Sequence, residues 1–360
     1  MTTIPNTASP TLGRAQARTD YPPGNLLFDY AATASALWFL IGLFLDGWAH
    51  NHDKVDNTFF TPWHMVLYSG YGAVGLLMVL TQFRNVTRGY TFARSLPRGY
   101  WLALVGVIIF GAAGAADFAW HSAFGFEEDL EALLSPSHLA LAVGGFLFLT
   151  GPIRAAWYRR QQKTSWREML PLIGALLGIM SLLTFFTQYA SVGGNLIQLT
   201  GRRPGNNGEL DTIGIVSFVV YTIILLGVTL IATRRWRFPV GAFALMYGVN
   251  MLLMTWLTVR HPAQYLLVIP ALAVGLLVDV LLRRWHPLID NPNSLRILAF
   301  IMPFLLSLAY LAGLSILGYS IFNRGLWWKV HMWLGVPFTA GMAGYLLSFV
   351  MVPPALPLDN

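Results

Sequence analysis

Ten apolar runs, each near the length a helix needs to cross a bilayer, alternate along the chain with short polar segments. They fall at 27–50, 62–83, 99–121, 136–158, 168–190, 211–233, 238–259, 262–282, 295–319 and 330–352. A helix crosses a hydrocarbon core with about 20 residues. The pattern therefore predicts an all-α fold: a polytopic membrane bundle of about ten transmembrane helices. Pro270 and Pro303 fall inside two of the runs and predict kinks there, because proline removes an N–H from the helical ladder. Residues 1–26, polar and rich in Thr, Pro and Ala, read as a mobile tail. They lack the apolar core of a cleaved signal peptide, so the first run is expected to act as an uncleaved anchor.

Composition narrows the class. Hydrophobic residues make up 56% of the 360 and charged residues 11%, against about 25% charged in soluble proteins. A soluble enzyme and a disordered chain are both excluded. The absence of cysteine excludes disulfides, thiolate metal sites, iron–sulfur clusters and cysteine nucleophiles. The net charge of +7 is a matter of topology. In a ten-span arrangement 17 of the 23 basic residues fall on one side, and ten of the 16 acids on the other. Cytoplasmic loops carry the excess of Lys and Arg, which places both termini in the cytoplasm of a cell (inner or plasma) membrane. The expected surroundings are lipid, and no nucleic-acid partner is implied.

An internal repeat carries the chemistry. Asp46-Gly-Trp-Ala-His50 ends the first run, and Thr61-Pro62-Trp63-His64 opens the second. Asp117-Phe-Ala-Trp-His121 ends the third, and Ser135-Pro136-Ser137-His138 opens the fourth. Asp46 and Asp117 are 71 residues apart, as are His50 and His121, and each second histidine is followed six residues later by a glycine, Gly70 or Gly144. Residues 27–158 thus form a four-helix half of two repeated hairpins, and 159–360 a six-helix half of unassigned role.

Residues at i and i+4 share a helix face, so each Asp–His pair points one way. A hydroxyl N-cap, proline at the first helical position and histidine at the third describe a helix start. Each hairpin can then bring its three residues to one point: Asp46, His50 and His64, or Asp117, His121 and His138. Two imidazoles and a carboxylate suit a divalent or redox metal with positions left open. Glu127, Glu128, Asp129 and Glu131, interleaved with Phe124, Phe126, Leu130, Leu133 and Leu134, read as a surface amphipathic helix. The plainer reading of such residues is a solvated helix end, and repetition of the whole pattern argues against it. His52 reads as a loop residue, His261 and His331 as helix-end caps or ligands, and His286 as structural. Asn250 reads as interhelical glue.

The string Asp46-x3-His50, then Asn57-Thr58-Phe59-Phe60-Thr61-Pro62-Trp63-His64 with Tyr68 and Tyr71 beyond it, resembles the C subunit of the membrane-bound (particulate) methane and ammonia monooxygenases. A second triad one hairpin later, as at Asp117, His121 and His138, extends the likeness over residues 27–158. The resemblance implies copper at both triads, on the non-cytoplasmic side, with further membrane or periplasmic subunits. Asp117 stands where that family often has Asn. Residues 168–352 have no counterpart in it.

Three functions are open from the sequence. The first is a copper- or iron-containing subunit or relative of a monooxygenase, oxidising a small or lipid-soluble substrate, alone, as a homo-oligomer or with other subunits. The second is a zinc-dependent membrane hydrolase, with Glu127, Glu128 or Glu131 as general base. The third is a metal-handling transporter, disfavoured because transporter sites lie near mid-membrane and the triads lie at helix ends.

Overall fold

Four of the α-helix starts among the described residues are set by side chains that satisfy the orphan N–H groups of the first turn. The computed structural model describes residues 18–54, 61–125, 133–159, 164–192, 208–285, 292–322, 326, 328 and 330–353. The tail up to residue 17, the acids Glu127, Glu128, Asp129 and Glu131, and His286 lie outside them. Asn25 caps α1 (Leu26–Asn51), Thr61 caps α2 (Pro62–Thr87), Ser135 caps α4 (Pro136–Leu149) and Ser165 caps α6 (Trp166–Phe186). The others are α3 (Trp101–Phe124), α5 (Gly151–Tyr158), α7 (Gly208–Thr233), α8 (Ala242–Thr258), α9 (Val268–Arg284), α10 (Pro292–Phe322) and α11 (Val330–Met351). No strand occurs among the described residues. This is an all-α polytopic bundle.

Among the described residues nine helical segments are long and apolar enough to span a membrane, α4 and α5 together making one of them, Pro136–Tyr158. The tenth, α8, has 17 residues and starts later than the run at 238–259 predicts. Pro239 and Gly241, the latter in the left-handed region at φ 92°, hold the chain in a turn until Ala242.

The prolines behave differently from the expectation. Pro270 makes no mid-span break: the span opens as a 3-10 helix, Pro262–Leu267, and Pro270 falls in the first turn of α9. The missing N–H has no helical partner to lose there. Pro303 does lie inside α10, which runs through it from Pro292 to Phe322. Pro171 lies inside α6 and denies the Arg167 carbonyl its helical donor. Tyr30 on α1 donates its hydroxyl to that carbonyl at 2.8 Å, and Thr33 donates to Pro171 O at 3.1 Å.

Helix α1 pairs with α2, and α3 with α4, as the repeat requires; α1 also packs on α6 and α8. Gly70 sits where α2 crosses α1, and an added Cβ would stand 2.4 Å from the Phe39 nitrogen. Gly144 does the same on α4, 2.8 Å from the Phe110 nitrogen. Phe39 and Phe110 are themselves 71 residues apart, and their rings meet edge to face at 5.2 Å with Phe148 against both. One apolar core continues from this half into the other. There Asn250, fully buried, accepts from Tyr221 at 2.9 Å and donates to Ser181 and Thr184. It is the interhelical glue its position predicts.

The helix ends opposite the triads hold a different cluster. Asp29, 2% exposed, accepts the Tyr100 hydroxyl at 2.6 Å and pairs with Arg159. Burial draws the Arg159 guanidinium below its usual value, opposed by the charge of Glu168, and pushes the Tyr100 phenol up.

Candidate metal centres

Asp46 and His50 stand one turn apart at the end of α1, and His64 in the first turn of α2. The Thr61 hydroxyl accepts from the His64 N–H at 3.1 Å, and Pro62 follows as the first helical residue, so the helix start forms as the string predicts. Asp46 Oδ2 lies 3.4 Å from His64 Nε2 and 3.9 Å from His50 Nε2, and the two rings are 6.4 Å apart. The His50 side chain is 47% exposed and that of Asp46 13%.

The second hairpin repeats the geometry at greater depth. Asp117 Oδ1 lies 3.5 Å from His121 Nε2 and 3.7 Å from His138 Nε2, with side-chain exposures of 6% and 10% for Asp117 and His121. The Ser135 hydroxyl accepts from the His138 N–H at 3.3 Å, and its Oγ lies 2.7 Å from the His138 Nδ1. Ser135 Oγ is also 3.2 Å from Ser137 Oγ, which gives its own proton an acceptor. His121 Nδ1 lies 3.2 Å from the Gly125 carbonyl. A carbonyl only accepts, so Nδ1 carries a proton, and in the neutral ring Nε2, which faces Asp117, is the nitrogen left to ligate.

All six residues predicted as ligands are brought together as two groups of three, the ligand atoms of each within 4.8 Å of one another. Charge-assisted N–H···O bonds close to about 2.7–2.9 Å, and the pairs here stand wider, at 3.4 to 3.9 Å. Asp46 Oδ1 and Asp117 Oδ1 are buried without a hydrogen-bond partner, although an unsatisfied buried acceptor costs about 1–3 kcal/mol. Ligands bound at about 2.0–2.2 Å around one ion would stand slightly closer than these do. Orphaned carboxylate oxygens, inward nitrogens and this spacing fit a cation shared by each triad.

The triads also face one region. Tyr68 follows His64 by one turn, its ring 5.9 Å away, and lies within electrostatic reach of both Asp46 and Asp117. Of the other histidines, His52 lies between the Trp48 and Val259 carbonyls and His261 caps the 3-10 helix. Sequence reasoning missed the supporting groups, Ser135 Oγ acting on the ring and the Gly125 carbonyl. The Ser-Pro-x-His string carried the first signal, whereas a backbone carbonyl leaves none.

Fold and site define a class: a multi-pass α-helical membrane protein with two candidate His–His–Asp metal centres at one end of the bundle. No protein-family model, curated protein or solved structure matches the chain.

Proposed function

We propose that the chain is a copper-binding membrane subunit or relative of a monooxygenase, with one metal ion at each triad, oxidising a small or lipid-soluble substrate. The observation that carries it is the convergence of two histidines on one aspartate in each hairpin, each aspartate keeping a buried oxygen without a hydrogen-bond partner among the described residues. Copper is the assignment because imidazole suits it, because it stands high in the affinity order of divalent metals, and because the strings around His50, His64 and His138 resemble those of the monooxygenase C subunits. A redox metal held there would supply the redox chemistry that oxidises a substrate arriving from the bilayer.

The chain's own residues do the rest. Asp46 and Asp117 each supply one negative charge. The Gly125 carbonyl fixes the His121 tautomer, and a partner at Nδ1 orients a ligating imidazole. Ser135 does the same for His138. The charge asymmetry orients both termini to the cytoplasm and the triads to the other side. Further subunits are part of the proposal, as the resemblance implies.

The test is metal content per chain in detergent-purified protein, for the wild type and for His50→Ala, His64→Ala, His121→Ala, His138→Ala combined. Copper or iron in the wild type, lost from the variant, is the expected result and leads to an oxygen-consumption assay. Zinc would overturn the oxidoreductase reading in favour of a hydrolase. No metal after reconstitution would overturn both.

A further inference from the structure

The first triad hangs on the last turns of α1, and residues far away in the chain hold the end of that helix. Asn51, its last residue, donates from Nδ2 to Gln188 Oε1 at 2.8 Å and to the Leu257 carbonyl at 3.1 Å. The Asn51 carbonyl is one of four that a helix end leaves without a backbone donor. Arg260 fills that role, donating from Nη2 at 2.6 Å. A guanidinium at a helix C-terminus also meets the negative end of the helix dipole. The His52 ring lies between the Trp48 and Val259 carbonyls, a nitrogen 2.8 Å from each.

The clasp is itself supported. Gln264 Oε1 accepts from the backbone N–H of Arg260 at 2.7 Å and of His261 at 2.8 Å, which fixes the chain that carries the guanidinium. Trp48 stacks on Trp256 with planes 4° apart. At Gly47 a Cβ would stand 2.5 Å from the Phe185 ring and 3.0 Å from Leu257, so α1 sits against α6 and α8 with no room for a side chain. These contacts set both the rotation and the height of α1 within one turn of His50. A small roll of the helix would carry Asp46 and His50 together away from His64, which belongs to another helix. The second triad is supported from within its own hairpin, by Ser135 and the Gly125 carbonyl.

We propose that Arg260 and Asn51 are positioning residues for the first metal centre. Through them the six-helix half aligns the end of α1 so that Asp46 and His50 meet His64. This rests on the metal reading and gives the six-helix half a task that the resemblance leaves unassigned.

The test uses Co(II), whose visible spectrum reports ligand geometry, on full-length protein in two backgrounds. His121→Ala/His138→Ala isolates the first centre, and His50→Ala/His64→Ala the second. Arg260→Gln and Asn51→Ala should each weaken Co(II) at the first centre by about ten- to hundredfold, the range for lost supporting groups, and change the second by less than about twofold. The first-centre spectrum should shift, and Arg260→Lys, which keeps a cation at the helix end, should recover part of the affinity. Should Arg260→Gln fail to fold, Asn51→Ala and Arg260→Lys carry the comparison. Unchanged affinity at the first centre, or equal losses at both, would overturn the proposal and leave the metal centres standing. Absence of Co(II) binding in both backgrounds would remove the metal centres and the proposal together.

Discussion

The two faces of the bundle treat their buried carboxylates differently. Opposite the triads, Asp29 has a guanidinium and a phenol as partners, and Asp279 accepts from the N–H groups of Phe243 and Ala244 at the start of α8. Each of these is satisfied from within the chain. On the triad face Asp46 and Asp117 each keep a buried oxygen without a hydrogen-bond partner among the described residues, and their carboxylates stand 3.4 and 3.5 Å from the nearest imidazole nitrogen. A carboxylate that serves the fold is neutralised by the fold. Asp211 is also left short, but Asp46 and Asp117 are so in the same pattern, each beside two imidazoles, and that setting suits a ligand from outside.

The largest effect expected from that contrast is structural. Asp29→Ala leaves the buried Tyr100 hydroxyl without its acceptor and the half-buried Arg159 without its partner; an unsatisfied buried polar group costs about 1–3 kcal/mol. Thermal unfolding in detergent should show it as a large drop, with metal content per folded chain unchanged. Asp117→Ala should reverse the pattern: the second centre loses its metal, while the metal-free protein stays within about 1 kcal/mol of the wild type, because an unsatisfied buried acceptor leaves with the side chain. A collapse of the Asp117→Ala fold comparable to that of Asp29→Ala would erase the distinction between the two faces.

Within the triad face the comparison sharpens again. The first centre is open at His50 and held by long-range contacts; the second has its carboxylate buried and is held by its own hairpin. Ser135→Ala removes the partner of the His138 Nδ1 and should weaken metal binding at the second centre by about ten- to hundredfold, with the first centre unchanged. Titration in the two isolating histidine backgrounds measures each affinity separately, and equal behaviour of the centres would show that the Ser135 hydroxyl is a cap alone.

The difference in support explains what the sequence could disclose. Asp46, His50, His64 and their counterparts were legible because helical periodicity and the N-cap strings are local, and a 71-residue repeat tests itself. The ten runs were legible for the same reason, since apolar length is a local property. Pro270 misled because its effect depends on whether it starts a helix or interrupts one, and the 3-10 turn before it left no local mark. The clasp on α1 joins Asn51 to Gln188, Leu257 and Arg260, more than a hundred residues away, and nothing in the order of residues pairs them. Asp29 and Arg159 escaped for the same reason.

The smallest effect separates capping from ligation. Thr61 and Ser135 hold equivalent places, each accepting from the N–H of the histidine three residues on. Thr61→Ala removes that acceptor and should cost about 1 kcal/mol, the usual worth of a hydroxyl cap. Pro62 still presets the first helical residue, so the helix starts at the same place and His64 keeps its position on the face toward Asp46. The expected outcome is a modest loss in thermal unfolding with metal still bound at the first centre. Loss of that metal in Thr61→Ala, with the fold retained, would show that the cap at α2 aims the imidazole as well as starting the helix, and that the two hairpins orient their ligands in the same way.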